Sequence, residues 1–291
     1  MLLALLLASP LLSQEKRIYF DDDVTYAPPE ARFRLTAEEM SDNLDYIEYS
    51  IDGGEMNRYE SPIAIEEEGR HFITYRAVDI TGNSSREKVY SVVIDATEPR
   101  LSASAVGEAY VDDDSILYFR SETAIILEAA DALAGVAEIY VSSDNEEFSP
   151  YTGPRYFEDG GEQVGYAYAT DNVGNRTPVY EARGVVDNRP PTVSVLPRNP
   201  FRTFGGERYS APGNEILVRA SDRRSGVARV EVSINDRPFQ SYTGPVQLSE
   251  SGFYSIRGRA VDNLGNVSNV QQISFYVGVD TPEPTVEPFI D

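Results

Sequence analysis

Cysteine and tryptophan are absent from this 291-residue chain, and histidine occurs once, at position 71. The missing thiol excludes disulfides, zinc–thiolate sites, cysteine catalysis and lipid attachment through an N-terminal cysteine. A single histidine excludes paired histidine metal ligands and leaves only His71 for any histidine-dependent acid–base scheme. No phosphate-binding glycine loop is present either. These gaps predict that the protein is not an enzyme.

Positive charge is also scarce. The chain has 25 Lys and Arg against 48 Asp and Glu, which gives a formal net charge of −23 and a pI near 4.4. This charge argues strongly against nucleic acid as a partner, because its phosphates would be repelled, and it opposes adsorption to anionic lipid headgroups. The acidic surplus suits an extracellular surface or one that gathers divalent cations.

Long apolar runs are missing beyond the first residues, since no later stretch approaches the ~20 apolar residues of a membrane helix. The apolar start, Met1–Ala8, is typical of a secretory signal, with cleavage expected after Ser13 and removal of residues 1–13. The alternative interpretation is an apolar N-terminal strand. We therefore expect an exported protein (cell-surface, outer-membrane-associated, periplasmic or secreted) with no transmembrane segment after signal removal.

What the chain does contain is one unit repeated three times, because many residues recur after 92 and then 91 positions. The recurring sets include Tyr26, Tyr118 and Tyr209; Ser50, Ser142 and Ser233; Pro62, Pro154 and Pro245; and Asp79, Asp171 and Asp262. A period near 90 is typical of tandem small domains, not of a solenoid. It predicts a first repeat at 14–97, a second at 98–189 and a third at 190–281, followed by an acidic proline-containing tail at 282–291.

Each repeat shows short alternating strands separated by turn residues, as in Ile216, Val218 and Ala220. Alternation places one face in a core and the other in water, and it predicts an all-β fold of three tandem β-sandwiches. Asp-x-x-Gly-Asn, beginning at Asp79, Asp171 and Asp262, predicts a hairpin between the last two strands. The first repeat is incomplete at its start, so its opening strand is either supplied by Ile18–Phe20 or missing.

These motifs resemble a known family. Ala-Val-Asp-x-x-Gly-Asn at Ala77–Asn83 and Ala260–Asn266, with Ser-Ile-Asp-Gly-Gly at Ser50–Gly54 and Ser-Gly-Val at Ser225–Val227, is similar to bacterial Ig-like tandem repeats. Such repeats occur in exported proteins, including spirochaete outer-membrane surface proteins, and the resemblance covers residues 26–281. It implies Ig-like domains that act as spacers, stalks or adhesive modules, with an unknown protein or glycan partner.

His71 occupies a position that holds Gln163 in the second repeat and Tyr254 in the third. The spacing Gly-x-His-x-Ile resembles the tyrosine corner of Ig-type sandwiches, in which a ring near the start of a late strand bonds back to the backbone. A position that tolerates three such residues is structural. We therefore predict a structural His71.

The repeated topology predicts that carboxylates gather where one repeat enters the next, and that they are candidate ligands for calcium. The candidates are Asp95, Asp131, Asp171 and Asn175 at the first junction, and Asp187, Asp222, Asp262 and Asn266 at the second. Carboxylates, amide oxygens and backbone carbonyls together could supply the six to eight oxygens that Ca²⁺ requires. The alternative is that each Asp only caps its own turn. No cofactor other than calcium is expected.

The 19 Tyr residues suggest a second function, because exposed rings stack on sugars. Tyr166 and Tyr168, on the strand face opposite Ala167 and Ala169, are the candidates. More often such tyrosines are half-buried sheet residues with a wet hydroxyl. The sequence thus predicts a non-enzymatic interaction or spacer module, adhesin-like, with a carbohydrate-binding accessory protein as the alternative.

Overall fold

The computed structural model describes residues 15–37, 43–158 and 160–278. The predicted signal at 1–13 and the tail at 282–291 lie outside the described residues. Two compact units can be separated along the chain. Unit 1 takes in the described residues up to Ser104, with Ile125–Arg155 and Val164–Ala182. Unit 2 takes in Ala105–Ala124, Tyr156–Gln163 and the described residues from Arg183 onward.

The first repeat lies in unit 1, and its described residues form eight strands. They are β1 (Tyr19–Asp21), β2 (Val24–Ala27), β3 (Arg32–Phe33), β4 (Leu44–Ile51), β5 (Asn57–Arg58), β6 (Ile63–Ala64), β7 (Gly69–Asp79) and β8 (Lys88–Ile94). One sheet has the order β1-β2-β8-β7-β4-β5, and β3 pairs with β6. Between these two layers lies an apolar core formed by Ala27, Ile63, Ile65, Ile73, Val92 and Ile94.

The second repeat contributes strands to both units. They are β9 (Arg100–Val106), β10 (Ala109–Val111), β11 (Leu117–Phe119), β12 (Ala124–Ala130), β13 (Val136–Ser142), β14 (Ser149–Pro150), β15 (Gly161–Asp171) and β16 (Tyr180–Val186). Within unit 1, β13 pairs antiparallel with β14 and β15. Within unit 2, β11 pairs antiparallel with β10 and in parallel with the end of β16.

The third repeat lies in unit 2. Its strands are β17 (Thr192–Pro197), β18 (Arg202–Phe204), β19 (Glu207–Ser210), β20 (Glu215–Ser221), β21 (Val227–Ile234), β22 (Gln240–Ser241), β23 (Val246–Gln247), β24 (Gly252–Asp262) and β25 (Gln271–Val277). The two sheets, β17-β20-β23 and β18-β19-β25-β24-β21-β22, enclose a core formed by Val195, Ile216, Val218, Leu248, Ile256, Phe275 and Val277.

The predicted all-β fold of tandem sandwiches is confirmed by these sheets. The hairpin expected around Asp-x-x-Gly-Asn is also present, because β7 pairs antiparallel with β8 and β24 with β25. Ile18–Phe20 does not replace the opening strand. Instead β1 matches β10 and β18 in the repeat, and it pairs with β2 as they pair with their neighbours. The counterpart of β9 and β17 falls outside the described residues.

Candidate functional site

The Asp-x-x-Gly-Asn turn is held by its own first residue. In the third repeat, Asp262 Oδ1 accepts the amides of Leu264 at 2.9 Å and Asn266 at 2.8 Å. Asn266 Nδ2 then donates to Asp262 Oδ2 at 2.7 Å. Asp171 makes the same bonds in the second repeat. Each carboxylate therefore caps its turn, which is the role that needs no metal.

The structure brings the predicted carboxylates together at the start of the second repeat. Oxygens of Asp95, Asp131 and Asp171 lie within 4.8 Å of one another, and we call these residues the first carboxylate cluster. Asp95 follows β8, Asp131 follows β12, and Asp171 ends β15. Asp95 and Asp171 are fully buried.

The first cluster also binds the segment between the first and second repeats. Asp95 Oδ2 accepts the amide of Ala134 at 2.8 Å, and Asp95 Oδ1 accepts that of Thr97 at 3.1 Å. Asn175 Nδ2 donates to the carbonyls of Asp95 at 3.1 Å and Thr97 at 3.2 Å. The linker is thus hydrogen-bonded to the repeat that follows it.

A second carboxylate cluster, Asp187, Asp222 and Asp262, repeats this arrangement at the start of the third repeat. Asp187 Oδ2 accepts the Ser225 amide at 3.1 Å and the Ser225 hydroxyl at 2.8 Å. Asn266 Nδ2 donates to the Asp187 carbonyl at 3.2 Å. Because the same hydrogen bonds recur at both junctions, the clusters indicate a structural role in joining each linker to the repeat that follows it.

The two clusters differ in their local charge. Arg224 Nη1 lies 4.0 Å from Asp187 Oδ1 and donates to the Val186 carbonyl at 2.9 Å. The matching position in the first cluster is Leu133, which carries no charge. Burial raises the pKa of Asp95 and Asp171, and the neighbouring Asp131 carboxylate raises both further. The second cluster therefore has a guanidinium within 4.0 Å of one of its carboxylates, which position 133 cannot supply to the first cluster.

As a calcium site, the clusters offer hard oxygen donors in the predicted places. Several of these oxygens already accept amide hydrogens, and Asn175 and Asn266 turn their amide nitrogens toward Asp171 and Asp262. Three carboxylates supply part of the six to eight oxygens that calcium takes. Calcium binding stays a prediction.

His71 lies where a structural residue was expected. Its side chain is buried, Nδ1 lies 2.7 Å from Asp52 Oδ2, and Nε2 lies 2.8 Å from the Glu67 carbonyl oxygen. Both partners are acceptors, so the ring satisfies them only when both nitrogens carry protons. Burial alone would lower the pKa of His71, but these two bonds outweigh it and the pKa is raised.

Tyr254 makes the equivalent contact in the third repeat, where its hydroxyl donates to the Glu250 carbonyl at 3.1 Å. Asn235, the counterpart of Asp52, accepts the amide of Ser255 at 2.9 Å, as Asp52 accepts that of Phe72. Both rings thus bond to the carbonyl four residues earlier, which is the geometry that the tyrosine-corner resemblance implied.

Tyr166 and Tyr168 lie on the face opposite the buried Ala167 and Ala169 and are both half-buried. The Tyr168 ring stacks on Tyr140 at a centroid distance of 4.9 Å, and the Arg176 guanidinium lies 3.6 Å from its centroid. These neighbours contact the ring on which a sugar would have to stack. The geometry therefore favours a structural role for Tyr168.

Sequence reasoning missed the contact that Lys16 and Arg17 make with the second repeat. The Arg17 amide donates to the Val173 carbonyl at 3.1 Å, and Lys16 Nζ donates to Asn175 Oδ1. The sequence feature that could have indicated this contact is the pair of adjacent basic residues in a strongly acidic chain. The contact joins positions more than 150 residues apart, which no local pattern predicts.

No protein-family model and no curated protein matches this sequence. Among solved structures, the chain is 12% identical to the fibronectin(III)-like modules of Clostridium thermocellum CbhA, covering 60% of this chain and 93% of that one, with a TM-score of 0.30. It is 12% identical to a bacterial ice-binding adhesin (80% and 86% covered, TM-score 0.32) and 15% identical to protocadherin gamma B7 domains 1–4 (90% and 76%, TM-score 0.33). At these values function must be argued from the chain itself.

Proposed function

We propose that this chain is an exported, non-enzymatic interaction and spacer module of the cell surface or periplasm, adhesin-like in character. The observation that carries the proposal is that both linkers are hydrogen-bonded into the following repeat by the same arrangement of a buried linker carboxylate and a turn asparagine. A spacer needs joints that resist bending, and duplicated joint chemistry serves that purpose. The acidic surface and the apolar start support export.

The non-enzymatic part of the proposal is supported by the use of the only histidine. His71 is 7% exposed and both of its ring nitrogens are engaged by Asp52 and Glu67. Acid–base catalysis needs a group that can reach a substrate proton. In the described part of the chain, no helix is long and apolar enough to cross a membrane.

Pulling single molecules by their two ends tests the spacer role. We expect only the cooperative unfolding steps of whole repeats. The chain should not lengthen gradually at low force, which we call soft extension, before the first step. Asp95→Ala should add soft extension, because it frees the amides of Thr97 and Ala134. Asp79→Ala is the matched control, since Asp79 caps the same turn without holding a described linker. Soft extension in the unaltered chain would contradict the proposal.

The alternative function, carbohydrate binding through tyrosines, is separated by a glycan array. The spacer proposal predicts no saturable glycan binding that depends on Tyr166 or Tyr168. Binding that is lost in Tyr166→Ala but kept in Tyr59→Ala would favour the carbohydrate reading, because Tyr59 packs against the core of the first repeat.

A further inference from the structure

The Asp-x-x-Gly-Asn turn of the second repeat, Asp171–Asn175, contacts an extended segment, Glu15–Arg17, that contains two adjacent basic residues. The Arg17 amide donates to the Val173 carbonyl at 3.1 Å, and Arg17 Nε donates to the Asn172 carbonyl at 2.9 Å. Lys16 Nζ donates to Asn175 Oδ1. The segment passes so close that a Cβ placed on Gly174 would lie 2.8 Å from the Glu15 carbonyl oxygen. This is a peptide-binding mode, seen within one chain.

The turn of the third repeat, Asn263–Asn266, has the same construction. Leu264 is buried like Val173, and Asn263 Nδ2 donates to the Ser225 carbonyl as Asn172 Nδ2 donates to that of Ala134. Asp262 caps both turn amides, and Asn266 Nδ2 is fixed by Asp262 and the Asp187 carbonyl. The binding surface is therefore preformed and would require little ordering to accept a ligand.

The third-repeat turn differs from the second in that no described segment covers it. Gly174 is buried, whereas Gly265 is exposed, with no described atom within 4 Å of the position that a Cβ would take. Among the described residues, no group donates a hydrogen bond to the Asn263 carbonyl, the Leu264 carbonyl or Asn266 Oδ1. Asn266 itself is only 9% exposed. Three acceptors that are filled in the second repeat thus receive no donor from the described residues in the third.

The turn of the first repeat does not share this preparation. Thr81 and Asn83 are exposed there, and among the described residues Asn83 Nδ2 bonds only to Asp79 and Thr81 of its own turn. No described linker packs against it. Gly82, in the same left-handed conformation as Gly265, therefore provides a control position with φ of 86° against 83°.

We propose that the Asn263–Asn266 turn is a docking site for an extended, basic segment of a partner protein, with adjacent Lys and Arg side chains. The ligand amide would donate to the Leu264 carbonyl, its guanidinium to the Asn263 carbonyl and its ammonium to Asn266 Oδ1. Lys16 and Arg17 fill the three equivalent acceptors of the second-repeat turn, which favours a ligand with the same two basic side chains, and the chain's net charge of −23 attracts such a ligand. The inference rests on the proposed interaction role and is independent of the spacer role.

The probe is a fluorescent peptide with the sequence of residues 15–20, titrated into the full chain and followed by anisotropy. In the second repeat the chain's own segment has the advantage of high effective concentration, so the added peptide should report the third repeat. Gly265→Ala should weaken binding about tenfold or more, because the new Cβ occupies the path of the ligand backbone. Gly82→Ala, which carries a similar backbone cost, should leave binding unchanged.

Saturable binding that is lost in Gly265→Ala, kept in Gly82→Ala and abolished when both basic residues of the peptide are replaced by Gln would support the site. No saturable binding, or binding insensitive to Gly265→Ala, would overturn it. Self-association of the chain that is lost in Gly265→Ala would also overturn the assignment, since a second copy would then fill the turn. None of these results changes the single-molecule pulling curve, so failure here is distinguishable from failure of the spacer proposal.

Discussion

At the scale of single residues, one position of the repeat holds a histidine in the first repeat and a tyrosine in the third, and both rings make the same hydrogen bond. His71 and Tyr254 each bond to the carbonyl four residues earlier and so fix the approach to the long strand that follows. His71 adds an ion pair with Asp52, whose side chain is 45% exposed. The first repeat therefore carries an imidazole, which can bind a proton, where the third carries a phenol.

This ion pair predicts a pH-dependent stability of the first repeat. The pKa of His71 is raised above its ordinary 6.5, so the folded state binds the proton more tightly than the unfolded state. The stabilisation is complete below about pH 6.5 and is lost as the pH rises through the folded pKa. Because Asp52 is partly exposed, we expect a loss below about 1 kcal/mol. Calorimetry of the full chain at pH values from about 5 to about 9 measures this loss of stability.

His71→Tyr provides the comparison. The tyrosine hydroxyl can reach the Glu67 carbonyl as Tyr254 reaches that of Glu250, so we expect neutral or slightly increased stability at high pH. The stability of the first repeat should depend less on pH in this variant, over the range from about pH 5 to about pH 9. An unchanged pH profile would show that His71 is not its source. Loss of a binding or catalytic activity would show that the position is not structural.

Tyr254 should matter more for packing than for its hydrogen bond. Its ring lies 6.3 Å from that of Phe275 and packs against the core of the third repeat. We expect Tyr254→Ala to destabilise this repeat by about 3 kcal/mol, and Tyr254→Phe by about 1 kcal/mol. Urea unfolding followed by tyrosine fluorescence measures both. Equal losses in the two variants would mean that the hydroxyl, not the ring, stabilises the corner.

At the scale of elements, the carboxylate clusters combine turn capping with the burial of like charges. The amide bonds to Asp95 and Asp171 favour ionised carboxylates, while burial and the mutual repulsion of the three groups oppose ionisation. In the second cluster Arg224 offsets part of this repulsion, and in the first cluster Leu133 does not. The same fold thus tolerates two different charge balances.

Asp131→Asn should stabilise the first cluster at neutral pH by about 0.5–1 kcal/mol. Asp131 uses one oxygen to accept the amides of Leu133 and Gly135, and an asparagine oxygen can keep both bonds while removing a charge. Burial and repulsion oppose only the ionised forms of Asp95 and Asp171, which is why their pKa values are raised. The gain in stability should therefore vanish as these groups become protonated, when the pH falls toward about 4, near their ordinary pKa of 3.8. Thermal unfolding at two pH values measures it.

Asp222→Asn is the matched control, because Asp222 accepts the amides of Arg224 and Gly226 in the same way. With Arg224 already present, we expect no gain. An equal gain at both positions would contradict the difference in charge balance between the clusters.

The strands and hairpins could be predicted because alternation and turn chemistry are local and occur three times. The gathering of Asp95, Asp131 and Asp171 could be predicted as well, because the topology of a sandwich determines which loops share an end. The contact of Lys16 and Arg17 with the second repeat could not, since it depends on the path of a segment that lacks a counterpart in the other repeats. The role of Arg224 was missed because its partner lies 37 positions away in sequence and no motif marks it.

At the scale of the whole molecule, a net charge of −23 opposes compaction, and the carboxylate clusters concentrate part of it at the joints. A divalent cation that binds only the folded chain would raise its stability by mass action. We expect millimolar Ca²⁺ to raise the melting temperature, with a stabilisation of about 1 kcal/mol. Asp187→Asn combined with Asp262→Asn should reduce the effect. Titration calorimetry that finds no saturable binding at low millimolar Ca²⁺ would leave these residues as turn formers only.

Each linker is built into the repeat that follows it, and amide hydrogen exchange of the linker residues measures how firmly it is held. The amides of Thr97 and Arg189 donate to Asp95 at 3.1 Å and Asp187 at 3.0 Å, in joints held by two fully buried carboxylates. We predict that both exchange as slowly as amides in the core strands β8 and β25, and that Asp95→Ala accelerates exchange at Thr97 but not at Arg189. Exchange of Thr97 and Arg189 at the rate of free peptide would contradict the claim.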